Sequence, residues 1–298
     1  MIRFSVATNV GRSMDGPYRT RLTVLFASQA PKAVILRRGP KTHFRLIDWD
    51  LRSDTFVLGQ WMKGAVQLSD LSPQGNKLIY CAQQIHRRAH WERSSAPYDP
   101  LARLDPVARR KYAKSHRKMP RYLRTSGVST PLKVEGAWTA ISTPPYFSAL
   151  AIWPTSGGWT GGGHFVSERE IVLYEPKDAT TPIANVPIPP GVQIISSRDV
   201  RRRGSQTTVP PARRASMQDH QRQGRVGLAL LENGVTWIEW VSLQHGADML
   251  FAADGRVYRL SRWASVPEHR YLSEAKLLAD FRDQRFEPMS APKVALRW

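Results

Sequence analysis

Asp70-Leu71-Ser72-Pro73-Gln74-Gly75-Asn76-Lys77-Leu78-Ile79-Tyr80 is a tight turn that runs directly into an apolar strand. Pro73 fixes φ, Gly75 accepts a positive φ where the turn needs one, and Lys77 to Tyr80 restarts extended chain. Outward from this phrase lie short runs rich in β-branched and aromatic residues: Lys32–Arg37, Phe44–Trp49, Thr55–Trp61 and Leu78–Ala82. Polar turns at Arg52-Ser53-Asp54 and Ser72–Gly75 separate them. Four strands in about fifty residues, joined by tight turns, describe one antiparallel meander.

Two more units follow. Trp138–Ile141, Ala149–Trp153 and Glu170–Tyr174 form one, with a corner at Pro144-Pro145-Tyr146 and a loop at Gly157–Gly163. Val226–Leu231, Trp237–Val241, Asp248–Ala252 and Val257–Leu260 form the other. The Asn233-Gly234 and Asp254-Gly255 pairs read as hairpin turns between them. Further strands are expected within 180–195. Leu272–Phe281 has apolar residues at helical spacing and reads as a short helix, which Lys293–Trp298 would pack onto a sheet.

The phrases D-L-S-P-x-G-x-x-L-I-Y at 70–80 and D-M-L-F-A-A-D-G-R-V-Y-R-L at 248–260 resemble blades of TolB-like and WD-repeat β-propellers. Residues 34–40, 49–61 and 138–153 also resemble a family of uncharacterised bacterial proteins, a likeness that brings no activity with it. The expectation is therefore an all-β fold of antiparallel four-stranded meanders, propeller-like with four or five blades and a short C-terminal helix. A β-sandwich of the same strands is the alternative. Residues 1–31, with Gly11, Ser13, Gly16 and Pro17, read as a loose arm before one domain spanning 32–298.

The net charge is +20, and it is unevenly spread. Residues 84–127 carry a net +9 and 198–225 a net +6, so two inserts hold most of the excess while the scaffold is near balance. Arg109, Arg110, Lys111, Lys114, Arg117, Lys118 and Arg121, with Tyr112 and Tyr122 interleaved, form the best candidate for contact with an anionic partner. Arg201, Arg202 and Arg203 extend it in the second insert. Guanidinium binds phosphate bidentately and tyrosines stack on bases, which would give salt-sensitive, sequence-independent nucleic-acid binding. A solvated charged loop explains the same composition.

The 41% hydrophobic content and ten tryptophans exclude global disorder. A lone cysteine, Cys81, excludes an internal disulfide framework and fits a reducing, cytoplasmic setting. No run reaches the roughly 20 apolar residues of a membrane span. Leu22–Ala30 is the nearest thing to a signal segment, but it is short and interrupted by Ser28 and Gln29.

No coherent catalytic set emerges. His86 and His90 are four apart, but Arg87 stands where a zinc protease needs its glutamate. Cys81 ends a buried strand and reads as an inert thiol. Asp48 and Asp50 share a strand face, the arrangement of paired carboxylates in glycoside hydrolysis, yet both also suit turn hydrogen bonding. Gly161-Gly162-Gly163 precedes extended chain and no lysine, unlike a phosphate loop. No cofactor or metal is expected. The leading reading is a non-catalytic scaffold binding another protein, with Trp153 and Trp159 as a candidate aromatic surface. The alternative is a propeller-type hydrolase or lyase gathering Asp48, Asp70, His164 or His245 in one funnel.

Overall fold

The computed structural model describes residues 20–39, 42–83, 137–155, 161–174, 183–184, 188–197 and 217–297. Among these residues strands dominate, in four sheets. Sheet I is the meander β1 (Arg21–Phe26), β2 (Lys32–Arg38), β3 (His43–Asp50) and β4 (Thr55–Lys63), paired in sequence order. Sheet II contains β5 (Ala65–Leu71), β6 (Leu78–Gln83), β7 (Ala137–Ser142) and β8 (Ala149–Pro154), with the two-residue β11 (Ile183–Ala184) beyond β8. Sheet III joins β9 (Gly163–Phe165) to β10 (Glu170–Leu173) antiparallel, and β10 to β12 (Gln193–Ser196) parallel. Sheet IV is the meander β13 (Ile238–His245), β14 (Asp248–Ala253), β15 (Arg256–Leu260) and β16 (Lys276–Asp280). Among the described residues the α-helices are α1 (Met217–Glu232) and the single turn α2 (Tyr271–Glu274).

The sheets stack face to face in the order IV, I, II, III. Alternate residues of β2 and β3 point to opposite faces, so Val34, Leu36, Phe44 and Leu46 meet Leu68, Leu78 and Tyr80 of sheet II. Ala33, Ile35, Ile47 and Trp49 meet Leu250, Ala252 and Val257 of sheet IV on the other side. Ile79, Ile141 and Trp153 of sheet II pack on Phe165, Ile171 and Leu173 of sheet III. Val226, Ala229 and Leu230 of α1 cover the far face of sheet IV at Met249 and Phe251. The first strands of the sheets, β13, β1, β5 and β9, lie side by side in that order along one edge of the stack.

The decisive turn behaves as its residues dictate. Gly75 has φ +74°, and the Ser72 hydroxyl accepts the N–H groups of Asn76 and Lys77, both at 3.1 Å. The turn also links sheets: Gln29 N–H donates to Pro73 O at 2.9 Å, and Gln74 N–H to Glu168 Oε1 at 2.6 Å. Asp254 and Gly255 both have positive φ, making the tight β14–β15 hairpin expected of them.

The expected grouping and four single elements are corrected: Leu78–Gln83 (β6) pairs in sheet II instead of closing the first meander, and Glu170–Leu173 (β10) lies in sheet III, apart from β7 and β8. Arg21–Phe26, within the supposed loose arm, forms β1 and pairs with β2 along its whole length. Val226–Leu231 is helical. Asn233-Gly234 ends that helix instead of turning a hairpin: Gly234 (φ +92°) and Val235 donate back to Leu231 O and Leu230 O, a Schellman C-cap. Leu272–Phe281 divides: Leu272, Ser273 and Glu274 belong to the single helical turn α2, whereas Lys276–Asp280 form β16, where the open edge of β15 offers pairing that outweighs helical spacing. The C-terminal residues pack on sheet II, where Ser148 Oγ donates to Ala295 O at 3.0 Å.

Candidate functional site

The cationic candidates Arg109, Arg110, Lys111, Lys114, Arg117, Lys118, Arg121, Arg201, Arg202 and Arg203 lie outside the described residues, as do Trp159, His86 and His90. Trp153 is corrected: it is 0% exposed, sealed between sheets II and III, and supplies core instead of surface. Ala151, two residues back on the same strand face, is buried there too.

The acids and histidines expected to share a funnel are each engaged elsewhere. Asp70 is buried, and its Oδ2 accepts Phe165 N–H at 2.7 Å, tying β5 to β9. His164 Nδ1 meets Tyr174 Oη at 2.9 Å, with burial lowering the imidazole's basicity. Asp50 Oδ1 accepts the N–H groups of Arg52 and Ser53, which hold its carboxyl below the ordinary range. Burial pushes Asp48 the other way. Cys81 is buried against the Thr139 hydroxyl, and burial raises its thiol, the opposite of an activated nucleophile. The glycine run serves close packing: a Cβ on Gly161 would stand 2.6 Å from Cys81 Sγ. Gly162 N–H donates to Thr139 Oγ1 at 2.7 Å.

The densest polar chemistry lies on the edge strand β13, where two β-bulges interrupt the pairing with β14. Bulges re-aim side chains and recur beside sites. The first displaces Glu239. Its Oε1 accepts Gly255 N–H at 2.9 Å, whereas the enclosed Oε2 has no partner. Burial, with Asp254 adding repulsion and Arg21 opposing, pushes this carboxyl up to about 8. The second bulge brings Ser242 Oγ to 2.9 Å from His245 Nε2. Burial and Arg259 keep that imidazole below its usual basicity, hence neutral at pH 7. Its ring lies 4.5 Å from that of Phe26. Phe26, Trp49, Phe56 and Trp240 form a continuous aromatic layer between sheets I and IV.

A hydroxyl against a neutral imidazole is half of a nucleophile–base–orienter set. The nearby carboxylate, Asp248, is held by Arg259 Nη1 at 2.7 Å, and Arg259 also grips Asp54 at 2.7 and 3.1 Å. Arg259 is thus a bridge between sheets, and the imidazole has no carboxylate hydrogen bond to orient it. Among the described residues no group of three or more His, Cys, Asp or Glu could hold a metal, and no helix is long and apolar enough to cross a membrane.

Sequence reasoning missed Glu239, Ser242 and Arg259 because bulge positions and inter-sheet partners leave no local periodicity. No family model, curated relative or solved structure matches the chain.

Proposed function

We propose that the chain is a cytoplasmic, propeller-like interaction module, non-catalytic, that docks another protein. The side-by-side first strands β13, β1, β5 and β9, with sheets stacked outward from them, support blades around a common axis. The observation that carries the docking reading is on α1. Its inner face is sealed on sheet IV, yet Leu228 and Leu231, three residues apart on the outer face, are 62% and 42% exposed. A paired apolar stripe on an outward helix face is a surface that partner proteins bury. The test is co-purification from the cells that make the protein, comparing parent with Leu228→Glu/Leu231→Glu. The partner should be lost while circular dichroism stays unchanged. A partner retained equally by both, or a clean monomer that turns over an ester, glycoside or phosphate, would contradict the reading.

The charge distribution favours a second reading, nonspecific nucleic-acid binding through the inserts at 84–127 and 198–225. Neutralising Arg109, Arg110, Lys111 and Lys114 together should then elute the protein from immobilised DNA at lower salt. Stability should change by less than about 0.5 kcal/mol, as for other solvated charges. Equal retention across the gradient would reduce the first insert to a solvated loop.

A further inference from the structure

After β16 the chain runs back as an irregular strap, residues 281–297, from sheet IV across sheet I to sheet II. Only Phe281 and Ala295 are enclosed; the segment between is largely exposed. Donors from the sheets beneath hold it. Arg37 donates from Nε to Phe281 O at 2.6 Å and from Nη2 to Arg282 O at 2.9 Å. Arg45 Nη1 reaches Gln284 Oε1 at 3.3 Å, Gln60 Nε2 reaches Met289 O at 3.1 Å, and Lys77 Nζ reaches Arg297 O at 2.9 Å. Phe286 lies on His43 and Trp61 while remaining half-exposed.

Beneath the strap is an unusual set of donors. Arg37 and Arg45 are direct cross-strand partners on β2 and β3, 1% and 5% exposed. Their guanidiniums lie 5.4 and 5.3 Å from the centre of the Trp61 ring. Two buried cations beside one ring repel each other, and burial with that repulsion draws Arg37 down to about 10. Among the described residues neither makes a hydrogen bond to a carboxylate. The acceptors of Arg37 are the carbonyls of Gly39, Phe281, Arg282 and Gln284 and the Thr20 hydroxyl. Those of Arg45 are Gly59 O and Gln284 Oε1. Asp283 and Glu287, on the strap, act only as opposite charges at longer range. The buried indole N–H of Trp61 has no acceptor. Buried charge without a paired ion is costly, and Arg37 meets its need with neutral oxygens alone.

We infer that Arg37, Arg45 and Trp61 form a binding site for an oxyanion, a carboxylate or phosphoryl group, with the C-terminal strap as its displaceable cover. Guanidinium forks match such groups bidentately, and charge-assisted hydrogen bonds are roughly twice as strong as those to neutral carbonyls. Between Phe281 and Ala295, which stay anchored, the strap is largely exposed, so lifting that stretch costs chiefly the contact of Phe286 with His43 and Trp61.

The test uses the full chain with inorganic phosphate and acetate as probes, at ionic strength matched with chloride. Calorimetry should give saturable binding of one or both probes; phosphate alone identifies a phosphoryl site and acetate alone a carboxylate site. Arg45→Gln should weaken binding about ten-fold, the loss of a hydrogen bond to a charged group. Gln284→Ala, on the exposed strap and safe for folding, should tighten it by freeing Arg45. Amide exchange of 282–291 should quicken on saturation. Binding unchanged by both substitutions would assign the anion to the basic inserts and overturn the inference. So would the absence of saturable binding, or strap exchange unaffected by the probe.

Discussion

The two faces of sheet I are held by different physics. Toward sheet II the contact is aliphatic: Val34, Leu36 and Leu46 meet Leu68 and Leu78, with Tyr80 contributing its hydroxyl to Phe147 O at 3.1 Å. Toward sheet IV an aliphatic contact through Ile35, Ile47, Leu250 and Val257 is joined by aromatic and polar groups. There the indole N–H groups of Trp49 and Trp240 and the Oε2 of Glu239 are enclosed without partners, while Arg259 spans the seam to Asp54 and Leu51 O. Sheets I and II follow each other in the chain, whereas sheets I and IV are about two hundred residues apart. The distant seam is fastened by directional contacts with one permitted register, and it contains a group that titrates. The near seam is fastened by area.

Leu46→Ala should break the near seam most severely. The side chain is fully buried, and the transfer and cavity terms together cost about 3 kcal/mol. Urea unfolding should show that loss equally at every pH between 5 and 9. A loss under 1 kcal/mol would mean that the aliphatic seam is loosely packed.

Arg259→Met should cost less, about 2 kcal/mol, because Asp54 and Asp248 lose their partner while remaining partly wetted. The same experiment should show the loss concentrated in sheet IV, with faster amide exchange in β13–β15 than in β5–β8. Uniform exchange across both seams would remove the distinction between them.

The sequence revealed the near seam well and the distant one poorly. The strands around the 70–80 turn fall within a residue or two of their expected places, since alternation and turn chemistry are local. The β5 strand was hidden by polar residues that turn inward: Ser69 exchanges hydrogen bonds with Gly163, and Asp70 caps Phe165 N–H. In the third unit, local signals misled. Asn233-Gly234 serves a helix cap as well as a hairpin, and only Val226, Ala229 and Leu230 at helical spacing separated the two. Leu272–Phe281 was decided by an empty sheet edge that no local pattern contains. Of the candidate site, Asp50 in its turn and Cys81 as a core thiol were legible. Glu239 and Arg259 were not, because their roles depend on bulges and on partners far along the chain.

Glu239 is the titrating group of the distant seam, with Arg21 and Asp254 as its charged neighbours. Its folded value, about 8, stands above the ordinary 4.5, so the folded protein holds a proton that the unfolded chain releases. That contribution is complete below pH 4.5, declines as pH rises, and is gone above 8, a change on the order of 5 kcal/mol. The measurement is urea unfolding of parent and Glu239→Gln from pH 4.5 to 9, read as the difference between the two so that His164 and His245 cancel. The parent should lose stability relative to the variant steadily across this window, and the variant should be the more stable at pH 9. A constant difference at every pH would contradict a buried, protonated Glu239 and with it the polar character assigned to the seam.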